Sequence, residues 1–181
     1  MIKAELVKHL ESSGVMSNSQ HGFTRGRSCL TNLLETFEAL TIIVEEGYGI
    51  DVIFLDFRKA FDSVSHVKLL QKLQSYGINK QLAVWIHDYL TNMETAVRVN
   101  GKLLSGVRQG SVLGSLLFLL FVNELPTWIR NSIKMFADDT KIWCNNNNNN
   151  NTLIYIAPAC RMTSEALADS SSRATECLTE K

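Results

Sequence analysis

The chain has 181 residues, enough for one domain with a sizeable core, and 45% of them are hydrophobic with only two prolines. Eighteen Lys and Arg balance eighteen Asp and Glu. Whole-chain basicity is therefore excluded as a source of nucleic-acid affinity, and any phosphate contacts must come from local clusters. Cys29, Cys144, Cys160 and Cys177 are widely spaced and form no CxxC pair, which argues against zinc and for reduced thiols at an intracellular site, nucleus or cytoplasm.

Residues 1 to 13 carry Ile2, Leu6, Val7 and Leu10 at helical spacing. The N-terminus lacks the apolar core of a signal peptide. A polar loop, Ser17 to Arg27, follows. Ser28 is placed to cap a helix running to about Glu46, with Leu30, Leu33, Leu34, Phe37 and Leu40 as its expected buried stripe. Gly47 and Gly49 end it, and Ile50 to Phe57 reads as a strand whose continuous apolar run, Val52 to Leu55, suits burial on both faces. Val67 to Tyr76 and Gln81 to Leu90 are expected helices separated by Gly77.

Asn100-Gly101 lies between two extended segments, a strong hairpin signal because both turn residues need positive φ. Gly106 to Gly114 reads as a loop and Leu116 to Leu125 as a buried helix ended by Pro126. Its seven-residue apolar block, Leu116 to Val122, is far short of the roughly 20 residues that span a bilayer, so no membrane partner is expected. Ile133 to Trp143 reads as a second hairpin, with Asp138 and Asp139 in its turn. Seven asparagines, Asn145 to Asn151, then form a low-complexity run, and residues 152–181 are expected to be disordered or weakly helical.

Two adjacent carboxylates at an apolar hairpin tip are costly unless a cation or proton compensates them. Asp56 ends the other apolar run, 82 residues earlier (138 − 56). Three carboxylates from two strands suit a two-metal site for phosphoryl transfer, since magnesium takes hard oxygen ligands and keeps several waters. An Asp-Asp pair alone is more often a solvated turn. Asp62 and Asp88 read as caps or surface charges, His21 and His87 as satisfied structural histidines, and Phe118, Phe121 and Trp85 as core.

Phe54-Leu55-Asp56-Phe57-Arg58-Lys59-Ala60-Phe61-Asp62 resembles the first palm motif of reverse transcriptases from non-LTR (LINE-type, jockey-like or CR1-like) retrotransposons. Val107-Arg108-Gln109-Gly110-Ser111-Val112-Leu113-Gly114-Ser115 resembles the second, and Phe136-Ala137-Asp138-Asp139 the third. Gln20-His21-Gly22-Phe23, continuing through Arg27 to Leu33, is similar to the fingers segment that precedes them. Each motif is weak alone, and the four in order, covering about residues 1 to 143, are specific.

The resemblance implies an α+β fold of the right-hand polymerase type, an antiparallel sheet packed on helices, with 1–48 as partial fingers, 49–144 as palm and the thumb missing. It implies RNA-directed DNA polymerase activity, with RNA template, DNA primer and deoxynucleoside triphosphates as partners and two Mg²⁺ ions, Mn²⁺ being an alternative. Asp56 and Asp138 would ligate both metals, with Asp139 beside them. Phe61 would sit under the sugar and reject a 2′-hydroxyl. Gln109 and Gly110 would lie against the incoming nucleotide, and Arg25 and Arg27 would hold triphosphate or template.

Arg108 and Ser115 stand where the family has prolines, which loosens that loop. The chain thus resembles a fragment of a mobile element, expected to be weakly active or inactive. A catalytically inactive remnant with the same fold is the alternative. A two-metal nuclease shares the carboxylates but gives no reason for Phe61 or the Gln109-Gly110 loop.

Overall fold

The computed structural model describes residues 2–92, 106–146, 153–156 and 160–161. The expected Asn100-Gly101 hairpin and most of the expected tail lie outside them. The chain divides into two compact units, each drawn from two separated stretches.

One unit comprises Met1–Met16 and Lys59–Asn123 and is helical: α1 (Ile2–Ser12), α3 (His66–Ser75), α4 (Lys80–Asn92) and α5 (Gly114–Val122). α5, apolar on nearly every side, is buried at every position but Ser115, as such a helix must be. It packs on α3, which also packs on α4 and contributes Leu69 and Leu73 to the core. Gly77, at φ +74, turns the chain between α3 and α4, as its position suggests.

The other unit comprises Ser17–Arg58 and Glu124–Lys181. It holds α2 (Cys29–Glu45), α6 (Leu125–Trp128), and a four-stranded sheet in the order β3 (Ser132–Phe136), β4 (Asp139–Asn146), β1 (Gly49–Leu55), β5 (Leu153–Ile156). β4 runs antiparallel to both β3 and β1, and β5 is parallel to β1. Two short strands, β2 (Phe57–Arg58) and β6 (Cys160–Arg161), pair in parallel. The architecture is α+β with a largely antiparallel sheet.

α2 begins where the sequence places it. The Ser28 hydroxyl accepts from the Thr31 backbone N–H, and the Thr31 hydroxyl receives the Ser28 N–H, a capping box with threonine at its third position. At its far end Ala39, Leu40 and Ile43 pack on Ile50, Val52 and Trp143.

Three expectations about individual side chains are corrected. The stripe proposed for α2 fails except at Leu40: Leu30 and Phe37 are 64% and 63% exposed, Leu33 and Leu34 are exposed too, and the buried side chains are Asn32 and Thr36. The reason is the surface beneath. The Asn32 amide donates to the Met135 carbonyl at 3.0 Å, the Thr36 hydroxyl donates to the Asn32 carbonyl, and the Lys141 ammonium donates to that hydroxyl at 3.3 Å. Pro126 does not end α5, which stops at Val122. It opens α6, where a missing N–H costs nothing. Trp85 is exposed on α4 and stacks on Tyr89 one turn later rather than entering the core.

Candidate active site

Register decides which carboxylates meet. The β1–β4 ladder pairs Val52 with Trp143, Phe54 with Lys141 and Leu55 with Thr140. The ladder ends there, with Asp56 directly after Leu55 and Asp139 directly before Thr140. Because side chains alternate along a strand, Ile50, Val52 and Trp143 share a face with Phe54, Asp56, Asp139 and Lys141. That face changes character along its length. Under the C-terminal half of α2 it is apolar; under the first turns of α2 it becomes charged and opens into a cleft of about 260 Å³. Cys29, Asn32, Leu33, Phe54, Asp56 and Asp139 line the cleft, with Lys141 beside them.

Burial pushes the Asp139 carboxyl above its ordinary range, the negative charges of Asp138 and then Asp56 push it further, and Lys141 pulls it back. Burial also lowers the Lys141 ammonium, against the opposing influence of Cys29 and Asp139. The charges of Asp138 and Asp56 thus both bear on Asp139, an electrostatic condition that a bound cation would relieve. Asp138 occupies the hairpin turn and does not line the cleft. Among the described residues no three His, Cys, Asp or Glu side chains stand in an arrangement already closed enough to hold a metal ion.

The turn that carries these aspartates is strained. The β3–β4 ladder ends with Phe136 opposite Asp139, leaving Ala137 and Asp138 as a two-residue loop. Ala137 adopts φ +57. Positive φ at the first loop position alone is the type II′ pattern, which ordinarily takes glycine there. A left-handed alanine costs about 1–2 kcal/mol.

The segment before α2 is fastened to this hairpin. Met135 N–H donates to the Ser19 carbonyl at 2.8 Å and His21 N–H to the Met135 carbonyl at 2.9 Å. The Gln20 carboxamide oxygen accepts from both the Gly22 and Ala137 amides at 2.8 Å, and its nitrogen donates to the Ala137 carbonyl at 3.2 Å. Gly22 passes so close that a Cβ there would lie 2.2 Å from the Ala137 nitrogen. His21 is fully buried. Its Nε2 pairs with Glu35 at 3.2 Å while Nδ1 has no hydrogen-bond partner among the described residues, so the expected satisfied histidine is satisfied there on one side only.

Arg27 donates to the carbonyls of Asn18 and Gln20 and to the Asn18 side chain, holding this same loop. Arg25 is exposed. In the helical unit, Phe61 is buried with its ring stacked on Phe118 at 4.2 Å. Gln109 and Gly110 are exposed in a turn where Gly110 has φ +81. The Ser111 hydroxyl donates to the Arg108 carbonyl and receives the Gly114 N–H, and a Cβ on Gly114 would meet that carbonyl at 2.2 Å.

Sequence reasoning missed Gln20 as an individual residue, along with Asn32, Thr140 and Lys141. A Lys in an otherwise apolar strand was the one available signal.

The family model described as reverse transcriptase (RNA-dependent DNA polymerase) matches residues 1–173. The chain is 28% identical over 156 residues to the probable RNA-directed DNA polymerase from transposon X-element of Drosophila melanogaster, covering 77% of this chain and 16% of that protein. It is 33% identical over 129 residues to the retrovirus-related Pol polyprotein from type-1 retrotransposable element R2 of Popillia japonica, covering 66% and 18%. It is 31% identical over 118 residues to the RNA-directed DNA polymerase from mobile element jockey of Drosophila melanogaster, covering 58% and 13%. The chain spans less than a fifth of each of these relatives.

Proposed function

The chain belongs to the reverse transcriptase family, and on that premise we propose that it carries the nucleotidyl-transfer centre of an RNA-directed DNA polymerase of the non-LTR retrotransposon type. One observation carries the proposal: Asp56 and Asp139 line one cleft beneath the first turns of α2, with Asp138 in the adjoining hairpin turn. Carboxylates gathered at such an opening are suited to divalent cations.

We read residues 1–48 as belonging to the fingers and 49–144 to the palm. Asp56 and Asp138 would hold two divalent ions, Mg²⁺ or Mn²⁺, with Asp139 beside them. When bound, those ions would supply Lewis acidity to the primer 3′-hydroxyl and to the triphosphate. The protein's own contribution is positioning. β1 and β4 fix the spacing of Asp56 and Asp139 through their register. Phe61, stacked on Phe118 within the helical unit, would by resemblance to the family reject a sugar 2′-hydroxyl. The Gln109-Gly110 turn offers backbone at close range to the nucleotide, and Ser111 ties that turn in place of the family's prolines. Arg25 remains exposed for phosphate; Arg27 serves chiefly to hold its own loop.

A catalytically inactive remnant is the second reading, favoured by Arg108 and Ser115 at the family's proline positions. Primer extension on an RNA template with Mg²⁺ and deoxynucleotides tests both. Extension by the wild type, lost in Asp56→Ala and Asp138→Ala and kept in Asp62→Ala, supports polymerisation. Extension surviving in either ligand variant overturns the assignment, and extension by none supports the remnant.

A further inference from the structure

We infer that Gln20 is a positioning residue for the carboxylate turn, its side chain holding Ala137 left-handed and thereby setting where Asp138 and Asp139 point. Strained backbone persists only where its surroundings over-determine it. Ala137 lies beyond the last pair of the β3–β4 ladder, so neither its N–H nor its carbonyl has a ladder partner. One carboxamide satisfies both, accepting at 2.8 Å and donating at 3.2 Å.

The clamp is itself immobilised. Gln20 is 2% exposed and its backbone forms an isolated parallel bridge with Met135, two residues before Ala137. Its oxygen also receives the Gly22 N–H, so every hydrogen-bonding direction of the side chain that faces the turn is committed. Removing the side chain would leave two buried main-chain groups unpaired and let Ala137 relax toward negative φ. That rotation reorients Asp138, the next residue, relative to the strands that flank the turn.

A residue that only stabilised the loop would act on stability alone. A positioning residue acts on the geometry of the carboxylates, and glycine at 137, for which positive φ is free of strain, should substitute for it. The catalytic meaning of this inference rests on the polymerase reading; the clamp itself does not.

The test uses the ¹⁵N-labelled whole chain, reading amide hydrogen exchange by NMR and Mn²⁺ binding by electron paramagnetic resonance. Gln20→Ala should speed exchange at Ala137 while the β1–β4 amides stay protected, and should weaken Mn²⁺ binding about 10-fold, in the range of other residues that orient metal ligands. Adding Ala137→Gly should restore Mn²⁺ binding. Gln20→Glu keeps both acceptor bonds but loses the donor to Ala137, and is expected to be intermediate in exchange. Unchanged exchange at Ala137 and unchanged Mn²⁺ affinity in Gln20→Ala would overturn the inference, as would an affinity loss that Ala137→Gly does not rescue. If Gln20→Ala does not fold, unaltered Ala137 exchange in Gln20→Glu overturns it. A wild type that binds no Mn²⁺ refutes the metal reading instead, and Ala137 exchange alone then decides the clamp.

Discussion

Gly22 and Ala137, 115 residues apart in sequence (137 − 22), approach so closely that a methyl group on Gly22 would lie 2.2 Å from the Ala137 nitrogen and 2.9 Å from its Cα. Gly22 is thus a spatial requirement of the aspartate turn. Gly22→Ala forces backbone rather than a flexible side chain to move, and is expected to destabilise by about 1–3 kcal/mol. Urea midpoints measure this, and metal-dependent extension should fall further than the stability loss alone explains.

Asp139 yields a pH prediction. Its folded carboxyl sits above the ordinary value of 3.8, so the folded state binds the proton more tightly than the unfolded chain. Its contribution is favourable below the unfolded value and is lost as pH rises from 3.8 through the raised folded value. At neutral pH without metal, Asp139→Asn should therefore raise Tm, and Mg²⁺ should stabilise the wild type more than the variant. Thermal melts at pH 4 and pH 7, with and without Mg²⁺, check both signs.

Glu35 runs the opposite way. Its hydrogen bond to Lys134, and then that to His21, lower it from 4.5 to about 2. That stability is present above pH 4.5 and is lost as pH falls toward 2. Half-exposure of the carboxylate makes the effect small. Glu35→Gln should flatten the acid limb of a stability-against-pH curve between those values and lower the plateau slightly.

Phe61→Leu tests the sugar-selectivity role. Loss of the flat ring should relax discrimination against ribonucleotides by about 10- to 200-fold, the range for shape differences in an apolar pocket. Single-nucleotide addition with paired deoxy- and ribonucleotides measures it. The stack on Phe118 implies an accompanying stability loss, which melts would separate.

Much of the frame was legible because it follows local chemistry: the Ser28 cap, Gly77, the apolar run of β1, and the hairpin with Asp138 in its turn, although Asp139, expected there too, opens β4. What escaped depends on partners far along the chain. Periodicity identifies an apolar face on α2 but says nothing of the surface below it. That surface bears Asp139 and Lys141, so Asn32 and Thr36 turn inward and Leu30 and Phe37 outward. Gln20 and Ala137 are 117 residues apart, and no local pattern announces their contact. Pro126, expected to stop a helix, instead opens α6, because the missing N–H is tolerated in a first turn as well as beyond a last one.

The central position of β1 has a consequence for biosynthesis. Its neighbours β4 and β5 both come from the far end of the unit, and Leu55 pairs with Thr140, 85 residues later (140 − 55). A ribosome therefore releases the Val52-Ile53-Phe54-Leu55 strand long before either flanking strand exists. Such delayed, non-local pairing slows folding and leaves an apolar segment open to association with other chains. Reduced temperature weakens apolar association between such exposed strands and should improve the soluble yield of this protein.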